Sequence, residues 1–96
     1  MNATSPLVLE ILGLCSLYRE GLVLLTTLAS RSESLVEQMR SELSSKDFSH
    51  AMNCIYLIEE INALCLDEGR KPTQEEKDAI LFELDVLDKV FTSNSK

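Results

Sequence analysis

The stretch Leu7–Ala29, LVLEILGLCSLYREGLVLLTTLA, decides how this chain folds. Wound as an α-helix, it carries Leu7, Ile11, Leu14, Tyr18, Leu22 and Leu25 down one side. Val8, Leu12 and Val23 flank that stripe, and Leu17, Leu24 and Leu28 form its other edge. Only Glu10, Ser16, Arg19, Glu20 and Thr27 relieve the apolar surface. A helix that is apolar over most of its circumference must be covered by its own chain or by a partner.

Ser5 as N-cap with Pro6 in the first turn starts this helix. Gly13 and Gly21 lie inside it, and each costs about 1 kcal/mol against alanine in a helix. Close approach of a neighbouring helix is the first reason for such a residue; a local kink is the second. Ser30 and Glu33 fit a capping box, with Leu35, Val36, Met39 and Leu43 resuming at helical spacing, so a break is expected near Ser30. The alternative is one uninterrupted helix over Pro6–Leu43.

Downstream, Asp47 or Ser45 caps a third helix whose stripe is Ala51, Cys54, Ile55, Ile58, Ile61, Leu64 and Cys65, and Gly69 terminates it. Thr73 and Glu76 form a second capping box. The helix they open places Ile80, Leu84, Leu87 and Phe91 on one face and Phe82, Val86 and Val90 on a second edge. The expectation is an all-α, antiparallel bundle of four helices in a single domain, with helices over about 6–29, 31–44, 47–68 and 73–91. It becomes three helices if Pro6–Leu43 is continuous.

Charge narrows the partner classes. Between Glu59 and Asp88 ten acids meet three bases (Arg70, Lys71, Lys77), which accounts for the whole net charge of −7. Such a balance disfavours nucleic acid and anionic membrane, both of which need a basic footprint. Low aromatic content and the absence of Trp argue against a stacking platform for bases or sugars. Glu10, Arg19 and Glu20 spoil the first stretch as a membrane span, and no base precedes Arg19 as a secretory signal requires. Cys15, Cys54 and Cys65 are odd in number and set in apolar sequence, which reads as three reduced core thiols in a cytoplasmic protein.

Groups for chemistry are sparse. His50, the single histidine, stands one helical turn before Cys54, but no third orienting group accompanies the pair. Glu59 and Glu60 do not reproduce the Glu-x-x-His pairs of di-iron bundles. Neither a metal site nor a cofactor site is expected, and the chain reads as non-enzymatic.

Binding surface remains. Leu9, Leu24, Leu81 and Phe82 are hard to bury together in a monomer, and an apolar excess of this kind marks an interaction site. Val86, on the same edge as Phe82, joins them as a candidate partner-binding residue. Glu83, the one charge within that apolar surface, reads either as a side chain snorkelling from the edge or as a partner-facing carboxylate that sets register. Glu75, Glu76 and Asp78 form an acidic face. In size, acidity and helical character the chain resembles the chaperones of bacterial flagellar and type III export, without a motif that carries over residue by residue. The likeness implies a small chaperone or adaptor that masks an amphipathic helix of another protein. The rival expectations are a toxin-immunity protein that turns its acidic face to a basic partner, and an obligate structural subunit; a homodimer is a further outcome of the apolar excess.

Overall fold

The first apolar stretch folds as two helices, and glycine rather than serine divides them. In the computed structural model, which describes residues 5–93, the elements are α1 (Pro6–Arg19), α2 (Leu25–Gln38), α3 (Ser45–Glu68) and α4 (Gln74–Ser93). The Ser5 hydroxyl accepts the Leu7 amide at 3.2 Å to start α1. The helix expected over residues 6–29 ends at Arg19 because Gly21 takes the left-handed conformation, φ 76°. There Leu22 N–H donates to the Leu17 carbonyl and Gly21 N–H to the Tyr18 carbonyl, both at 2.9 Å. This double closure is a Schellman turn, which glycine enters without the steric penalty of a Cβ.

The break expected at Ser30 does not occur, and neither does the uninterrupted Pro6–Leu43 helix. Ser30 lies within α2, where its hydroxyl donates to the Thr26 carbonyl at 3.0 Å instead of capping a new helix. Serine inside a helix makes this bond readily, so it does not force a stop. The helix expected over 31–44 is therefore displaced toward the N-terminus, and Leu43 falls in the turn after α2, half-buried against the core.

The second half follows its local signals more closely. Ser44, not Asp47 or Ser45, caps α3 by accepting the Asp47 amide at 3.1 Å. Gly69, φ 63°, ends α3, with Arg70 N–H donating to the Cys65 carbonyl at 2.9 Å. The capping box of α4 is formed in both directions. Glu76 N–H donates to the Thr73 hydroxyl at 3.1 Å, and Thr73 N–H to Glu76 Oε1 at 2.9 Å.

Each helix packs on the next and α1 closes on α4, giving a bundle of 43 × 24 × 19 Å. The short connections make consecutive helices antiparallel neighbours. The core runs through all four: Ile11 and Cys15 from α1, Leu28, Leu35 and Val36 from α2, Ile55 and Ile58 from α3, Ile80, Leu84, Leu87 and Phe91 from α4. Each fully buried Leu, Ile or Phe contributes about 1.5–3 kcal/mol. Ser32 is the one buried polar side chain among the described residues, and it donates to the Leu28 carbonyl at 2.6 Å. No helix among the described residues is long and apolar enough to cross a membrane.

Candidate protein-binding site at one end of the bundle

The up-down topology brings the two glycine-closed helix ends, α1 at Gly21 and α3 at Gly69, to the same end of the bundle as the starts of α2 and α4. Each connection leaves its helix at a left-handed glycine. A cleft of about 490 Å³ lies between them, with Tyr18, Leu24, Leu66 and Pro72 among its walls. A neighbouring cleft of about 270 Å³ shares Tyr18, Gly21, Val23 and Lys77 and extends to Arg19 and Leu81.

The leucines around this opening are held out in water. Leu24 is 75%, Leu22 66% and Leu66 65% exposed, the three highest values for large apolar side chains among the described residues. Leu22 and Leu24 are exposed because the turn at Gly21 takes them off the helical stripe on which they would have been buried. Leu66 points away from the α3 core stripe, between Cys65 and Gly69.

A polar frame holds the opening in shape. The Thr26 hydroxyl donates to Asn62 Oδ1 at 3.1 Å and ties the start of α2 to α3. Arg70 grips Glu76 with both Nη atoms, at 2.8 and 3.1 Å, while its Nε donates to Glu68 at 2.6 Å. The Arg70 guanidinium, helped by the Thr73 amide, holds the Glu76 carboxyl down to about 2. Arg19, on the α1 side, bridges Asp85 at 2.9 Å and Asp88 at 2.8 Å of α4. Burial raises the Tyr18 phenol, with Cys65 nearby as a second cause.

A second apolar groove of about 510 Å³ lies between α1 and α2, where Leu9, Gly13 and Leu17 follow one another along α1 over Leu14 and Leu35. Arg31 and Glu10 pair along its edge. A Cβ at Gly13 would meet nothing within 4 Å, so no other part of the described chain approaches this glycine closely. The close neighbour that the sequence suggests for Gly13 is thus absent among the described residues.

The six residues expected to bind a partner do not form one surface. Leu24 stands at the end cleft, Leu81 lines the adjoining one, and Leu9 belongs to the α1–α2 groove. Phe82 is exposed on the outside of α4, whereas Val86 is half-buried against the core. Glu83 is half-buried beside Cys54 of α3. In the acidic face, Glu75 is exposed and Asp78 accepts from Gln74 Nε2 at 2.9 Å, while Glu76 is taken up by Arg70 and its own capping box. Leu22, Leu66, Lys71 and Lys77 are not among the residues that the sequence singles out for binding; Leu22, Leu66 and Lys71 lie within three residues of the helix-ending glycines, whereas no local signal marks Lys77.

Burial, and after it the Glu83 carboxylate, pushes the Cys54 thiol up to about 12, the opposite of an activated nucleophile. His50, on the same helix, is exposed. Burial, and after it the charge of Asp88, raises Cys15 to about 12 as well. Among the described residues no group of three His, Cys, Asp or Glu side chains is placed to hold a metal ion. No known protein family, curated protein or solved structure matches the chain.

Proposed function

We propose that the protein is a non-enzymatic binding module of the chaperone or adaptor type, which shields an apolar helical segment of a partner at the Gly21–Gly69 end of the bundle. One observation carries this reading: Leu24 and Leu66, two of the three most exposed large apolar side chains among the described residues, come from the start of α2 and the end of α3 and line one preformed cleft, and the third, Leu22, lies in the turn beside it. Scattered exposed leucines are ordinary, whereas a gathered set beside a cavity is the usual form of a protein-binding surface. Covering these side chains supplies about 1–2 kcal/mol each toward holding a helix there.

The test is a titration of the methyl-labelled protein with a capped amphipathic peptide of leucine, alanine and glutamine, followed by NMR. Saturable shifts at Leu24 and Leu66, lost on Leu24→Asp and kept on Phe82→Asp, are the expected result. Absence of those shifts at millimolar peptide, with the fold intact by circular dichroism, would refute the reading.

A second reading, a helical subunit held permanently through α1, is favoured by the open space over Gly13 between Leu9 and Leu17. It requires a stable oligomer of the isolated chain or of the chain with one fixed partner. A concentration-independent monomer mass by light scattering excludes self-assembly through this face.

A further inference from the structure

We propose that the segment received at this end is an acidic amphipathic helix of another protein, whose leucine-like side chains enter the cleft while its carboxylates meet Lys71 and Lys77. The inference rests on the binding reading above and adds the charge and conformation of the partner.

Charge is distributed against the trend of the chain here. The protein carries a net charge of −7, yet Arg19, Arg70, Lys71 and Lys77 all stand around the two adjoining clefts. The arginines are spent within the fold, Arg19 on Asp85 and Asp88, and Arg70 on Glu68 and Glu76. Lys71 and Lys77 are exposed and make no ion pair with any described residue. Lys77 lines both clefts, and Lys71 flanks Pro72 in the connection to α4. Two unpaired ammonium groups at the rim of an apolar opening match apolar residues flanked by carboxylates. Their alkyl stems extend the apolar surface while the charged heads stay wet. The start of α2 adds a weaker contribution of the same sign, since Leu24 provides no side-chain cap and its first turn holds no acid.

The conformation of the partner follows from what the site lacks. The described residues contain no strand, hence no sheet edge that could pair with an extended peptide. A segment entering an apolar cleft without backbone partners must satisfy its own amides, and a helix does so. A second copy fits poorly. Its exposed Phe82 lines neither cleft, so an α4 entering the cleft of a neighbouring copy would make a head-to-tail contact, which propagates instead of closing. Phosphate-bearing polymers need more than two free lysines against a −7 background.

Three capped peptides of one leucine pattern test the proposal, with glutamate, glutamine or lysine at the polar positions. Affinity is read by fluorescence anisotropy and location by methyl NMR on the full chain. The overall charge of the protein favours the lysine peptide, so preference for glutamate must come from the site itself. The expected result is glutamate peptide binding at Leu24 and Leu66 about tenfold tighter than the lysine peptide, with the order reversed in Lys71→Glu/Lys77→Glu. If the glutamine peptide binds at these leucines and the charged peptides bind alike, the acidic-partner inference is overturned and the binding reading stands. If no peptide shifts these leucines, both fall. If raising the protein concentration alone shifts them, and Leu24→Asp abolishes that change, the site is a self-association surface and the inference is overturned.

Discussion

Gly13 and Gly21 stand eight residues apart in one apolar run, and the same substitution at each should move stability in opposite directions. Gly13 is inside α1, with nothing within 4 Å of a Cβ built on it. Alanine there removes backbone freedom from the unfolded chain at no steric cost, a gain of about 1 kcal/mol. Gly21 also has open space around it, so no clash contributes; its φ of 76° is the whole effect. An L-residue in that region costs about 1–2 kcal/mol, which exceeds the entropic gain and leaves a net loss of about 1 kcal/mol. For a domain of this size each kcal/mol moves Tm by about 4–8 °C, so Gly13→Ala and Gly21→Ala should differ by roughly 10 °C. Thermal unfolding by circular dichroism, supported by urea midpoints at unchanged m, measures both. A Gly21→Ala variant as stabilised as Gly13→Ala would refute the reasoning. It would mean that the chain runs helically through residue 21, and a sizing column would then show exchange of the α1 segment between two copies.

Burial, with the adjoining Glu33 carboxyl as second cause, raises Glu59 to about 7, above its unfolded value near 4.5. The folded chain therefore binds more protons between those values, so this group's contribution to stability falls as pH rises from about 4.5 to 7; Glu59→Gln should flatten that decline in a Tm-versus-pH series, and an unchanged slope would sink the assignment. Leu87→Ala, at a fully buried position, should cost about 2–5 kcal/mol in urea unfolding, against about 0.5 kcal/mol or less for exposed Phe82→Ala. With thiols raised to about 12, Cys15 and Cys54 should resist iodoacetamide at pH 8 in the native protein and react once urea unfolds it, as followed by peptide mass spectrometry.

The parts of the fold that were legible in the sequence are those whose causes are local. Thr73 and Glu76 satisfy each other within one helical turn, and nothing elsewhere is required for the box to close. Ile80, Leu84, Leu87 and Phe91 recur at helical spacing, and all four are buried as that spacing requires. The division of the first stretch was illegible because two local signals compete there. Ser30 with Glu33 offers a cap, and Gly21 offers a left-handed exit, yet apolar residues at helical spacing continue across both. The glycine prevails because Leu22 and Gly21 amides find carbonyls in the last turn of α1, while Ser30 finds Thr26 and stays helical. Gly13 shows that the letter alone decides nothing: there the same residue remains inside the helix.

The candidate site was half-legible for a related reason. That Leu9, Leu24 and Phe82 exceed what a small core holds follows from counting apolar residues. Which of them meet depends on where the chain turns. Once Gly21 ends α1, the residues left for the core are Ile11, Leu14 and Cys15 from α1 and Leu28, Ala29, Leu35 and Val36 from α2, while Leu22 and Leu24 fall in the connection between them. A connection needs no leucines: polar residues there would leave the buried set untouched and remove an apolar surface from water. Leu66 stands likewise off the buried stripe of α3, just before Gly69, and opens on the same cleft. Leu24 from a connection and Leu66 from the end of α3, two leucines that the buried core does not use, meet at one cavity, and they are better explained by what they contact than by what they stabilise.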